Sequence, residues 1–237
     1  MLKKFLFSIL LLYSQFCFSQ TITAKSWIVT DEKGKLIQAE NHKDARPIAS
    51  ITKLMTAMVV IDAGQNMEEK IGNFTRRQHI QMALVSSSNE SSILLCNNYP
   101  GGRARCISDM NSKAIAVGMK NTKFTEPSGL SPMNISTAED LVELVLSASY
   151  YPEIILASKT PTIEIKINKK WFLFKNTNPI IGHKHTFLVS KTGWTIAAGG
   201  CIALLVDTEI GKRVVIVLGS KNTRTRIPEA ELLASYN

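Results

Sequence analysis

Ser50-Ile51-Thr52-Lys53 places a hydroxyl and an amine one helical turn apart, where side chains at i and i+3 share a face. A serine hydroxyl is a poor nucleophile until a base takes its proton, and a neutral lysine can be that base. The lysine pKa must then fall from roughly 10.4 toward 7–8, at a cost of about 3–5 kcal/mol. Burial provides part of such a shift, and a second cation, for which Lys191 is the candidate, provides more. A nucleophile at a helix start also faces free backbone N–H groups and the positive end of the helix dipole. On its own the tetrapeptide reads more readily as a helix N-cap followed by an exposed lysine, because helices commonly start this way.

Two further triplets change that balance. Ser87-Ser88-Asn89 offers a second hydroxyl and an amide; Lys191-Thr192-Gly193 offers a cation, a hydroxyl and a residue without a side chain. Ser87 can relay a proton between Lys53, Lys191 and a leaving amine. Asn89 can hold a substrate amide and orient the lysine. A strand carrying Lys191 and Thr192, with Gly193 leaving room, can pair with a substrate backbone as an added strand. The competing readings are a serine-rich polar turn (Ser86, Ser87, Ser88, Ser91, Ser92) and an edge-strand lysine that opposes aggregation. S-x-x-K and K-T-G each occur once, and the further S-x-N copies lie beyond K-T-G, out of order. The conjunction of the three motifs in this order favours chemistry.

The elements that must position these residues follow from periodicity. Residues 23–29 and 35–40 form a hairpin around Asp31-Glu32-Lys33-Gly34. A helix opens at Ser50, with Ile51, Leu54, Met55, Met58 and Val59 at helical spacing, and ends near 65–69. Residues 79–85 are helical and run into the serine cluster. Residues 90–99 and 106–117 form a helical hairpin turned by Pro100-Gly101-Gly102, with Gly118 as its stop. Ser136-Thr137-Ala138-Glu139 is a capping box before the apolar face Leu141, Leu144, Val145 and Ala148. Strands follow at 162–167, 171–175, 187–191, 201–206 and 214–218, then a closing helix at 227–236 with Pro228 in its first turn. The fold class is α+β, an antiparallel sheet flanked by helices and shared by the two terminal regions.

At 237 residues and 45% hydrophobic content the chain suits one domain with a sizeable core. Residues 1–19 read as a signal peptide: Lys3 and Lys4, an apolar stretch over 5–13 too short to span a bilayer, and a cleavage site at Cys17-Phe18-Ser19. An uncleaved anchor is the alternative, and Phe16 argues against lipidation of Cys17. Residues 20–237 then form a single domain, exported to the periplasm or cell wall, with no stable membrane span after cleavage. The net charge of +9, which falls to +7 when residues 1–19 remove Lys3 and Lys4, suits anionic wall polymers or membrane surfaces, or general solubility. No basic block, aromatic interleaving or zinc spacing points to nucleic acid. His183-Lys184-His185 reads as a surface segment rather than a metal site, so neither metal nor cofactor is expected. Of the three remaining cysteines, Cys96 and Cys106 flank the Pro100–Gly102 turn and are expected to pair, leaving Cys201 free.

The wider segments carry a family resemblance. Pro47-Ile48-Ala49-Ser50-Ile51-Thr52-Lys53-Leu54-Met55-Thr56-Ala57 resembles the nucleophile segment of the low-molecular-mass penicillin-binding proteins, the D-alanyl-D-alanine carboxypeptidase/endopeptidase family. Phe124-Thr125-Glu126-Pro127-Ser128-Gly129-Leu130 and Ser136-Thr137-Ala138-Glu139-Asp140-Leu141 are similar to its middle segment. Residues 97–102 and 195–201 resemble its endopeptidase (penicillin-binding protein 7-like) branch. The resemblance implies a transpeptidase-like fold and a peptidase cutting D-alanyl bonds of peptidoglycan stem peptides, with β-lactams as inhibitors. It implies Ser50 as nucleophile, Lys53 as base and Ser87 as relay, with Asn89, Lys191, Thr192 and Gly193 on the substrate. The substrate carboxylate would lie near Thr192 and Lys191, and the backbone N–H groups of Ser50 and Trp194 would form the oxyanion hole.

The sequence departs from the family in three ways. The segment between Lys53 and Ser87 is short, so a lid over the cleft is expected to be missing. Glu90-Ser91-Ser92 stands where Arg-Ala-Ala is common, and the C-terminal β-rich domain and amphipathic anchor of the larger carboxypeptidases are not expected here. The rival enzyme is a β-lactamase, for which Glu126 is the one tempting deacylating base, although it sits in E-P-S-G-L rather than E-x-x-L-N. A catalytically silent sensor of peptidoglycan or β-lactams is the rival from another class. Carboxypeptidase and endopeptidase activity stay open, with a cleft lacking a lid favouring cross-linked substrates.

Overall fold

The computed structural model describes residues 22–167, 169–183 and 185–236; the expected signal peptide lies outside the described residues. The N-terminal hairpin is β1 (Ser26–Asp31) and β2 (Leu36–Glu40). Strand β3 (Arg46–Pro47) leads into a 3-10 turn at Ala49–Ile51, and α1 (Thr52–Asp62) follows. Strands β4 (Lys70–Ile71) and β5 (Phe74–Thr75) precede the helices α2 (Arg76–Val85), α3 (Asn89–Asn97) and α4 (Gly102–Ala116). Next come β6 (Ile135–Ser136), α5 (Ala138–Ala148) and α6 (Pro152–Lys159). The chain ends with β7 (Thr162–Ile167), β8 (Lys170–Lys175), β9 (Thr186–Thr195), β10 (Gly199–Thr208), β11 (Gly211–Ser220) and α7 (Arg226–Ala234).

The main sheet has the order β2-β1-β11-β10-β9 and is antiparallel throughout, so the two terminal regions share it as expected. One face, through Ile28, Ala203, Leu205, Val214 and Ile216, joins the large core formed with α1 and α5. The other face, through Val29, Ile202, Leu204, Val215 and Val217, packs on Ile227, Ala230 and Leu233 of α7. Helix α1 is buried from Thr52 to Val60. A helix apolar on nearly every side belongs at the centre of a domain, and this placement carries Lys53 into the interior.

Several boundaries differ from expectation. Ser50 lies in the 3-10 turn rather than in the α-helix it precedes. Thr137, not Ser136, caps α5, its hydroxyl accepting from the Asp140 N–H at 3.0 Å, while Ser136 pairs with Arg46 in a short two-stranded ladder. Helix α2 begins at Arg76 because Thr75 and Gln78 form a reciprocal capping box. Helix α6 was not expected; with Pro152 in its first turn it packs against β9. Cys96 and Cys106 are bonded between α3 and α4, and Cys201 is a buried free thiol in β10. Among the described residues, no three His, Cys, Asp or Glu side chains are grouped to hold a metal, and no single helix is long and apolar enough to cross a membrane.

Candidate active site

Ser50 sits where three backbones converge. Ile48 hydrogen-bonds to Asn134, and Ala49 takes a φ of +46°, a left-handed conformation that a non-glycine residue adopts only when its surroundings impose it. Gly129, at φ +84°, packs so closely that a methyl group there would overlap the Ala49 carbonyl. A Cβ on Gly193 would come within 2.9 Å of the Ser50 nitrogen. Both glycines are required by close approach, and Gly193 brings the edge strand β9 against the Ser50 backbone.

Lys53 is fully buried, and its amine meets Ser50 Oγ at 2.7 Å, Asn89 Oδ1 at 2.8 Å and the Ser128 carbonyl at 2.5 Å. Burial lowers its pKa to about 7, with Glu126 acting in the opposite direction. A neutral amine keeps two N–H bonds, which the amide and carbonyl oxygens can accept. Its lone pair is then left for the Ser50 hydroxyl proton. The reading of Lys53 as an exposed helix lysine is excluded.

The serine cluster resolves into separate duties. Ser86 donates to the Met82 carbonyl, Ser88 caps α3 by accepting from the Ser91 N–H, Ser91 faces His79, and Ser92 donates to the Ser88 carbonyl. Ser87 alone, at φ +60° in the tight junction between α2 and α3, lines the cleft. Its hydroxyl accepts from Lys191 Nζ at 3.0 Å, and among the described residues no hydrogen bond joins it to Lys53. Lys191 is buried and also donates to the Thr192 carbonyl at 2.9 Å. Its pKa is held well below the usual lysine value by burial first, then by Lys53 and Arg226. Burial leads at both lysines, as expected for Lys53, and the mutual repulsion of the two amines acts in the same direction.

Two contributors escaped the sequence reading. Arg226, at the start of α7, donates through Nη1 to the Gly193 carbonyl at 2.7 Å, and its buried Nε has no partner among the described residues. Thr177, in the loop after β8, receives the Thr192 hydroxyl at 2.6 Å. Neither sits at a recognisable spacing from a motif; each is brought in by tertiary packing. Together with Trp194 they border a cleft of about 260 Å³ that also includes Ser50, Ser87 and Asn89. A larger cavity of about 520 Å³, near His185, Asp207, Glu209 and Glu231, has no paired nucleophile and base. Chemistry rather than size marks the site.

Glu126 is committed elsewhere. Its carboxylate accepts from Ser128 N at 2.7 Å, Ser128 Oγ at 2.6 Å, Gly129 N at 2.5 Å and Asn134 Nδ2 at 3.0 Å. It thus fixes the loop that presents the Ser128 carbonyl to Lys53, an arrangement at odds with a free deacylating base.

The arrangement can generate an alkoxide-like serine beside an amine–hydroxyl relay, Lys191 and Ser87, at a sheet edge. The fold is that of the penicillin-binding DD-peptidases. Penicillin-binding protein D2 of Listeria monocytogenes, solved with ampicillin bound, superposes with a TM-score of 0.81 at 27% identity, covering 90% of this chain and 96% of that one. A Streptomyces K15 DD-transpeptidase variant superposes at 0.85 with 22% identity, over 91% and 98% of the two chains. The family model for D-alanyl-D-alanine carboxypeptidase matches residues 14–73 and 66–222. A D-alanyl-D-alanine endopeptidase of Pseudomonas aeruginosa is 35% identical over 92% of this chain and 78% of its own length. One from Escherichia coli is 33% identical over 91% and 77%. The chain belongs to the D-alanyl-D-alanine carboxypeptidase family and is a serine peptidase.

Proposed function

We propose that the protein hydrolyses D-alanyl peptide bonds of peptidoglycan stem peptides through an acyl-enzyme on Ser50, and that cross-links are its preferred substrate. The observation that carries this reading is the 2.7 Å approach of the buried Lys53 amine to the Ser50 hydroxyl. Neutral Lys53 takes the hydroxyl proton as Oγ attacks the D-alanyl carbonyl, and the N–H groups of Ser50 and Trp194 stabilise the developing oxyanion. The proton taken by Lys53 is returned to the leaving amine through the Ser87 hydroxyl, which Lys191 holds at 3.0 Å. The substrate carboxylate lies by Thr192, with Lys191 and Arg226 supplying positive charge. Asn89 holds Lys53 in place and faces the substrate amide. Water then releases the acyl group. A lysine lowered to about 7 beside the nucleophile serves acylation, and release of cleaved peptide is what separates turnover from a silent sensor.

The preference for cross-links draws on two observations. None of the residues lining the cleft comes from the connection between α1 and α2, which folds back as the β4–β5 hairpin. The relatives at 33–35% identity are endopeptidases, whereas carboxypeptidase relatives stand at 23–28%. Such a substrate places the protein outside the cytoplasmic membrane after removal of residues 1–19, and β-lactams, which mimic the D-Ala-D-Ala terminus, are its inhibitors. Mass spectrometry of purified muropeptides after digestion tests the reading. Cross-linked dimers should fall to monomers. Trimming of a terminal alanine with dimers left intact would make the enzyme a carboxypeptidase instead.

A further inference from the structure

The β7–β8 hairpin exposes side chains that a water-facing surface does not need. Its second strand continues the run Lys169-Lys170-Trp171-Phe172-Leu173-Phe174-Lys175. The register opposes Ile165 to Phe172 and Ile163 to Phe174, which puts these four on one face. Ile165 is buried and Ile163 packs on the main core. The opposite face carries Trp171, 65% exposed, and Leu173, 53% exposed, with Lys166 across from Trp171 and Lys175 at the base. Phe172 adds 43% exposure from the inner face. Lys166, Lys169, Lys170 and Lys175 are all exposed, and Glu164 is the only acid in the two strands. Lys166 Nζ lies 5.6 Å from the Trp171 ring centroid.

We propose that this hairpin is an attachment site for an anionic lipid bilayer surface. An exposed apolar cluster rimmed by polar residues marks an interaction site. Tryptophan favours the bilayer interface, where its ring meets acyl chains and its N–H stays wet. Lysines bury their stems and hold their ammonium groups at headgroup level, where anionic lipids attract them. A polyanionic wall polymer would account for the lysines but gives Leu173 and Phe172 nothing to bury against. A bilayer accounts for both halves of the pattern. The hairpin is closed at its base by Asn176 N donating to the Pro161 carbonyl at 2.7 Å, and Thr177 beyond it holds Thr192. Attachment would therefore set the cleft beside the membrane surface.

The test uses the exported, processed chain isolated from the cell envelope, its N-terminus checked by mass. It is sedimented with vesicles of phosphatidylcholine containing phosphatidylglycerol, and with pure phosphatidylcholine vesicles. The expected result is binding to the anionic vesicles that weakens with salt. That binding should fall at least about tenfold both in K169E/K170E and in W171S/L173S. Penicillin acylation should be unchanged in both variants, which shows that they fold and keeps this test separate from that of the proposed function. No binding to anionic vesicles, or binding that survives both variants, overturns the proposal. Loss with the charge reversal alone reduces it to nonspecific polycation adsorption and also overturns it. Retention on isolated glycan strands, lost in W171S/L173S without any vesicle binding, would assign the face to polysaccharide. Self-association lost in the same variant would assign it to a second copy of the chain.

Discussion

Lys53 Nζ and Asn89 Oδ1 stand 2.8 Å apart although 36 residues separate them, which joins the first helix to the start of the third across the core. The contact fixes where the lysine points. With the Ser128 carbonyl it leaves the Ser50 hydroxyl as the remaining partner for the amine lone pair.

If Lys53 is the base, acylation needs its neutral form. With its pKa lowered to about 7, the acylation rate should climb up to tenfold per pH unit below 7 and level off above it. Stopped-flow acylation by a fluorescent penicillin from pH 5 to 9 reads this directly. Lys53→Ala should lose at least about 100-fold and the inflection with it. A flat profile would remove Lys53 from the role.

The same depressed pKa has a consequence for stability. The ammonium titrates near 10.4 in the unfolded chain and near 7 in the folded one, so between these values the unfolded chain holds more protons. Stability should therefore rise with pH across that window, by at most about 1.4 kcal/mol per unit for this group. Lys191, lowered as well, adds in the same direction. Lys53→Met removes the Lys53 part, and urea unfolding at pH 7, 8.5 and 10 should show wild type gaining on the variant as pH rises. A constant gap would contradict the buried-lysine account.

Gly129 offers a structural check that involves no titrating group. Its Cβ would collide with the Ala49 carbonyl in a backbone region that L-residues avoid. Gly129→Ala should cost about 1–3 kcal/mol and displace the nucleophile turn. Acylation should fall far more than thermal stability alone explains, as a melting curve beside a labelling time course would show. Unimpaired labelling would mean that the turn is not held from this side.

The Cys96–Cys106 bond closes a short loop between α3 and α4, at the end of α3 away from Asn89. Loop-closure entropy assigns it about 2–3 kcal/mol. Denaturant unfolding of the double alanine variant should show a loss of that order, with labelling of Ser50 retained at pH 8 in dilute buffer. Abolished labelling without lost stability would place the bond in catalysis instead.

The three motifs were legible because each is local: a turn of helix, a three-residue junction, a strand segment. What they lacked was direction. The spacing to Asn89 singled out Ser87, but what separates it physically from its neighbours shows only once their capping and helix-backbone bonds are assigned. Arg226 and Thr177 were invisible because tertiary packing alone brings them to the cleft. Helix α6 was missed because eight residues with Ile154 and Ala157 as their buried pair give too short a period, although Tyr151-Pro152-Glu153 carried a start signal. The Ser136 cap was displaced by one residue because two adjacent hydroxyls compete, and strand pairing with Arg46 claimed the first. The exposed face of β7–β8 shows only in the register, since alternation in the sequence does not say which side is covered.

The central claim is that Ser50 is the acylated nucleophile of an enzyme without a dedicated deacylating base. Intact-protein mass spectrometry after incubation with benzylpenicillin, on wild type and Ser50→Ala in parallel, tests it most directly. The account predicts a single penicilloyl adduct per wild-type chain that persists after free drug is removed and maps to the Ser50 peptide, with no adduct on the variant. An adduct on Ser50→Ala, or a wild-type adduct that vanishes as hydrolysed penicillin accumulates, would contradict it.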